Sequence, residues 1–167
     1  MMSARGRDEH RAFAHEISLR LEQLGIAQAL LLDASALGTP TLDLLVRRLT
    51  EPFCGDATTL DIAPLPEVTL SEDQIRTLAL VLGEFSTNSN KYGALGHGGK
   101  IVVTGVIEGS MLTLSWAEQS DRPVAAEARD GGSGLTLIRR ALTAQRGTLD
   151  VAFRLDGVDL TVQLPGF

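Results

Sequence analysis

A single cysteine, Cys54, stands in the 167 residues, which excludes an internal disulfide and a cysteine-based metal cluster and fits a reducing compartment. Long apolar runs are also missing. A stretch such as Ala29-Leu30-Leu31-Leu32 is far too short to cross a bilayer, and nothing between Met1 and Arg20 has the continuous apolar character of a secretory signal. The expectation is a cytoplasmic chain with no membrane partner. Basic charge is scarce as well: 15 Lys and Arg face 21 Asp and Glu, the formal charge is -6 and the pI is near 5.0. Such a field gathers no phosphates of DNA or RNA, so no nucleic-acid partner is expected. The pairs Arg47-Arg48 and Arg139-Arg140 lie inside amphipathic segments and read as solvated helix faces.

What remains is an ordinary folding composition, with 44% hydrophobic and 22% charged residues, enough for one globular unit. The expected organisation is an N-terminal helical segment over residues 1–50 and a domain over residues 51–167. Phe13, Ile17, Leu21 and Leu24 recur at helical spacing and predict a helix over residues 8–24, with a second helical pattern over residues 41–49 after Gly38-Thr39-Pro40. Residues 58–62 have strand character. Ser71 with Gln74 three residues on forms a capping-box pattern, flanked by Leu70 and Ile75 as a hydrophobic staple, and predicts a helix reaching about Tyr92 before Gly93. Two hairpins are expected, residues 100–107 with 111–117 around Glu108-Gly109-Ser110, and residues 148–155 with 158–164 around Asp156-Gly157. Between them residues 135–144 read as a helix ended by Gly147. This order predicts an α+β fold, a two-layer sandwich of a mostly antiparallel sheet with helices on one face.

Three local patterns carry chemistry. Glu84, Asn88 and Lys91 are spaced by four and three, so one helix face presents a carboxylate, an amide and an ammonium. Such a row can polarise a hydroxyl or water, offer Mg²⁺ an oxygen and meet phosphate oxygens, and it can equally be a solvated face with an ion pair. Leu112, Leu114 and Trp116 alternate along a strand, and Glu118 follows on the same side. There it can accept from the exocyclic amino group of a purine packed on apolar side chains, or simply face water. Asp130-Gly131-Gly132-Ser133-Gly134 opens a helix, where glycines let a bound anion approach free N–H groups, or form a mobile turn. No Gly-Lys-Ser/Thr follows, so a P-loop is excluded.

In their order and spacing these patterns resemble the ATP-binding domain shared by histidine kinases, gyrase, the Hsp90 chaperones and the MutL proteins. Residues 78–95, from Leu78-Ala79-Leu80-Val81 through Glu84-Phe85-Ser86-Thr87-Asn88 to Lys91-Tyr92-Gly93-Ala94-Leu95, resemble the N box of the HWE subgroup of sensor histidine kinases. Trp116-Ala117-Glu118 resembles the subgroup's Trp-x-Glu signature, and Gly132-Ser133-Gly134-Leu135-Thr136-Leu137-Ile138 is similar to the G2 box. The resemblance covers residues 42–167. It implies ATP and Mg²⁺ as cofactors, with Asn88 holding the metal against the phosphates and Glu84 as general base. By the same resemblance Lys91 and Tyr92 line the phosphate and ribose, Glu118 reads the adenine amino group, and Gly132 and Gly134 border the triphosphate. Two positions depart from the pattern. Gly83 replaces the subgroup's histidine, and Gln119-Ser120-Asp121-Arg122 replaces a glycine pair before Pro123-Val124.

The implied activity is transfer of the ATP γ-phosphoryl group to a histidine in two-component signalling. Glu9-His10-Arg11 resembles the start of the subgroup's H box, which makes His10 the candidate acceptor ahead of His15 on a shortened dimerisation hairpin; alternatively, residues 19–32 resemble the end of the second hairpin helix, and the acceptor helix is then missing. His97, in a glycine-rich loop, is expected to be solvated. Implied partners are a response regulator or a histidine-containing chain, and a second copy through the N-terminal helices. A weakly catalytic regulatory scaffold and a serine kinase of the anti-sigma-factor type share the same expected fold; the Trp-x-Glu signature speaks against the latter.

Overall fold

A computed structural model describes residues 40–123 and 132–167, together with Ser18, Leu21, Gly25, Gln28 and Ala29. Those five isolated residues are exposed, and all five are helical. His10 and His15, most of the helix expected over residues 8–24, and the Asp130-Gly131 start of the glycine turn lie outside the described residues.

Helix α1, Leu42–Thr50, begins at Thr41, whose side chain accepts the Leu44 N–H. A 3₁₀ turn, Glu51–Phe53, leads to strand β1, Thr58–Ile62. Helix α2, Glu72–Tyr92, starts with the expected capping box: Ser71 Oγ accepts the Gln74 N–H and Gln74 Oε1 accepts the Ser71 N–H at 2.8 Å. The short helix α3, Ala94–His97, follows after Gly93. Strands β2, Gly99–Glu108, and β3, Met111–Ser120, form the first hairpin. Helix α4, Gly132–Ala144, precedes strands β4, Thr148–Phe153, and β5, Gly157–Pro165, which form the second.

The five strands make one sheet in the order β1-β2-β3-β5-β4, antiparallel throughout except for the parallel pair β1 and β2. Period-two alternation sends Ile101, Val103, Leu112, Leu114, Trp116, Leu149, Leu160, Val162 and Leu164 to one face, where they meet α1, α2 and α4 in one core. Thr59, Thr104, Ala117, Gln119, Thr148 and Asp150 are exposed on the other. The expected two-layer α+β sandwich is the observed fold. At the outer edge of the sheet, Arg139 of α4 donates to the Leu149 carbonyl of β4 at 2.7 Å.

Two expectations change. Leu42, Leu45, Val46 and Leu49 of α1 are fully buried in this same core, and Ser86 Oγ of α2 donates to the Leu49 carbonyl. The division expected at residue 50 therefore falls inside one packed unit. His97 is half-buried at the end of α3 rather than solvated in a loop. Helix α4 ends with Arg146 in the left-handed region, at φ 59°, and with the Gly147 N–H donating back to the Leu142 carbonyl at 2.8 Å, so Gly147 closes the helix as expected.

The capping box has a measurable share in stability. Ser71→Ala is expected to lower unfolding free energy by about 1 kcal/mol, the usual loss when a helix N-cap is removed. A urea midpoint equal to the wild type's would show that α2 is held by its packing alone.

Candidate nucleotide site

Strand directions decide which candidate residues share one end of the molecule. Helix α2 crosses from the end of β1 to the start of its parallel neighbour β2, so it runs against both. Helix α4 crosses from the end of β3 to the start of β4, and β3 and β4, each antiparallel to β5, run the same way. Because β3 opposes β2, α2 and α4 are antiparallel to each other. Gln145, at the far end of α4, fixes the register by donating to the Asp73 carbonyl and to Thr77 Oγ1 near the start of α2. With equal rise along both helices, the glycine turn at Gly132 and Gly134 comes level with the Asn88 region of α2. The last turn of α2, the first turn of α4 and the end of β3 thus face one another at one edge of the layer.

On α2 the Glu84 side is not solvated. Glu84 is only 3% exposed, among Leu82, Gly83, Phe85, Ser86 and Thr87, all buried. Asn88 and Lys91 are half-buried and Tyr92 is exposed. A row that begins in the core and ends at the surface fits a ligand lying across the end of the helix, with its polar atoms meeting Asn88 and Lys91. Gly134 is buried and Gly132 begins α4, so the first N–H groups of this 13-residue helix lack partners within the helix itself.

Glu118 sits deeper than expected. Strand β3 runs on to Ser120, and the carboxylate is 3% exposed instead of standing at the rim of the sheet. Oε1 accepts the Ala94 N–H at 2.7 Å and Oε2 accepts the Trp116 indole N–H at 3.0 Å. Trp116 meets Phe85 of α2 edge to face, with ring centroids 6.0 Å apart. The carboxylate therefore ties β3 to the turn that ends α2. Gly93 makes this approach feasible, since a Cβ there would lie 1.6 Å from Glu118 Oε1. On the backbone side, a Cβ at Gly157 would lie 1.8 Å from the Glu118 carbonyl oxygen.

Sequence spacing alone does not place Ala94, Gly157 or Arg154 against Glu118. A tryptophan two residues before a glutamate on one strand face is the signal that a donor was available to that carboxylate.

The donor chemistry suits Mg²⁺ carried by a nucleotide. Among the described residues no group of three or more His, Cys, Asp and Glu could hold a metal by itself. Mg²⁺ keeps several waters and is held largely by substrate phosphates rather than by a dedicated protein cage, and Asn88 is the residue of the α2 row whose amide oxygen could meet it.

This is the fold of a histidine-kinase catalytic domain. The histidine kinase domain of the Erythrobacter litoralis EL346 blue-light-activated histidine kinase superposes with a TM-score of 0.67 at 16% identity, over 89% of this chain and 73% of that one. The histidine kinase domain of the E. coli osmosensor EnvZ superposes with a TM-score of 0.55 at 16% identity, over 77% of this chain and 88% of that one. In sequence, the chain is 27% identical over 157 residues to blue-light-activated histidine kinase 1 of Erythrobacter litoralis (strain HTCC2594), across 92% of this chain. It spans 44% of that relative's length. No protein-family model matches the chain. Among the described residues, no helix of this kinase-like domain is long and apolar enough to cross a membrane.

Proposed function

We propose that this chain is the ATP-binding and catalytic part of a protein histidine kinase acting in the cytoplasm in two-component signalling. The observation that supports this reading is the bond from Glu118 of β3 to the turn that ends α2, the helix whose one face carries Glu84, Asn88 and Lys91, at the end of the layer where α4 starts. Asn88 offers its amide oxygen to the Mg²⁺ that accompanies ATP, and Lys91 meets the phosphates. Tyr92 lies on the ribose side, Gly132 and Gly134 let the triphosphate approach the start of α4, and Glu118 closes the adenine end. The metal supplies charge neutralisation on the transferring phosphoryl group. As an imidazole nitrogen of the acceptor attacks the γ-phosphorus, the bond to the β-phosphate oxygen breaks, ADP leaves, and Glu84 accepts the imidazole proton. The acceptor is a histidine, either His10 or one on a partner chain, and a response regulator receives the group in turn.

Incubation with γ-labelled ATP and Mg²⁺ tests this directly. Label that is acid-labile and base-stable is expected on the chain or on an added histidine-containing hairpin domain. A chain that binds ATP and labels neither is a scaffold and not a kinase. Asn88→Ala is expected to abolish the Mg²⁺-dependent part of ATP affinity while leaving the metal-free part in place. Calorimetry with and without Mg²⁺ measures both, and equal Mg²⁺-ATP affinity in variant and wild type removes Asn88 from the metal site.

A further inference from the structure

We infer that Arg154 is a positioning residue for the base end of the nucleotide site, acting by holding Glu118 through its backbone; the inference rests on the ATP-site reading above. Arg154 follows the last residue of β4, and its N–H donates to the Gly157 carbonyl at 2.8 Å across the turn to β5. Its guanidinium reaches sideways to β3, where Nη2 donates to the Glu118 carbonyl at 2.7 Å. Nη1 pairs with the Asp159 carboxylate on β5, directly opposite Ala117 in the β3 register.

The same turn grips the next two residues of β3. Gln119 Nε2 donates to Asp156 Oδ2 at 3.1 Å, and the Ser120 N–H donates to the Asp156 carbonyl at 2.7 Å. Gly157 leaves the route open, because a Cβ there would crowd both the Glu118 carbonyl at 1.8 Å and Arg154 Nη2 at 3.2 Å.

Arg154 and Asp159 are each 41% exposed, so their ion pair adds little by itself. Its effect is to orient a planar fork whose second arm makes a charge-assisted bond to the carbonyl. Glu118 is then fixed at both ends, by Arg154 at the carbonyl and by Trp116 and Ala94 at the carboxylate. Releasing the carbonyl shifts the carboxylate against the indole. Trp116 is the only tryptophan of the chain, so its emission reports that shift without any ligand.

The test compares Arg154→Ala, Arg154→Lys and Asp159→Asn with the wild type in tryptophan emission, urea midpoint, and affinity for ATP and GTP. For Arg154→Ala a red-shifted emission and about a tenfold loss of ATP affinity are expected, the scale of one charged hydrogen bond. GTP affinity should change little, so the preference for ATP narrows. Arg154→Lys keeps the charge without the fork and should fall between, and Asp159→Asn should move the same way by less. Should Arg154→Ala fold poorly, Asp159→Asn carries the test.

Wild-type emission together with an unchanged ATP-to-GTP ratio overturns the inference. So does a parallel fall in both affinities that tracks lost stability, which is the signature of a purely structural residue. If the wild type binds neither nucleotide, the ATP-site reading fails by itself; the ligand-free emission still decides whether Arg154 positions Glu118, a red shift supporting it and no shift refuting it.

Discussion

Glu84→Gln is expected to lower phosphoryl transfer by about 10²- to 10⁴-fold while ATP affinity stays within a few-fold, the pattern of a group that acts in the transition state. Glutamine has the same shape and retains hydrogen-bonding capacity, which matters because Glu84 is buried at 3% exposure and engaged by its surroundings. A truncation to alanine would add a cavity to the lost proton acceptor and mix the two effects. Single-turnover transfer from labelled ATP and calorimetric affinity separate chemistry from binding. If transfer is unchanged, or if it falls only as far as affinity does, Glu84 is not the base. The comparison is informative here because Gly83 stands where the resembling subgroup carries a histidine beside this residue.

Gly157→Ala is expected to destabilise the fold by roughly 3 kcal/mol or more, at the upper end for overpacking, because the obstruction is backbone. The added methyl group would meet the Glu118 carbonyl oxygen at 1.8 Å, and neither strand can yield without disturbing its ladder with the other. Gly93→Ala makes the instructive contrast. Its methyl group would meet Glu118 Oε1, a side-chain atom that can rotate aside, but only by giving up the Ala94 N–H. It should therefore weaken nucleotide binding with a smaller loss of stability. Urea unfolding of both variants measures the difference, and a Gly157→Ala midpoint within about 1 kcal/mol of wild type would mean that β3 and β5 accommodate the methyl group.

The fold was legible wherever local signals agreed with the final packing. Ser71 and Gln74 announce the start of α2, the turn residues at 109–110 and 156–157 announce both hairpins, and the strand alternation correctly separates the core face from the open one. Burial of the site was not legible. Spacing puts Glu84 on the Asn88 face, yet it does not say that α2 lies between the sheet, α1 and α4, which buries the middle of the helix and draws Glu84 inward. The depth of Glu118 was hidden for a related reason. Its partners are a backbone N–H twenty-four residues earlier and an indole two residues earlier, and only the folded register of β3 brings the first of them close. The two glycines crowded by Glu118 were visible but misleading, since Gly93 reads as a helix stop and Gly157 as a turn residue. Neither role reveals that a carboxylate and a carbonyl of one residue occupy the space where their side chains would be.

Among the described residues the sheet has two borders without a strand partner, and each is poorly suited to recruiting a foreign strand. Border strand β1 offers only five residues, carries exposed Asp61, and gives way to Pro64 and Pro66. Border strand β4 offers six residues with exposed Asp150 at its centre, and the carbonyl of Leu149 is already taken by the Arg139 guanidinium. An incoming chain would find short templates, like charge from other acidic copies and a blocked acceptor. Arg139, which the sequence pattern places on an ordinary solvated helix face, thereby helps keep the domain from polymerising edge to edge.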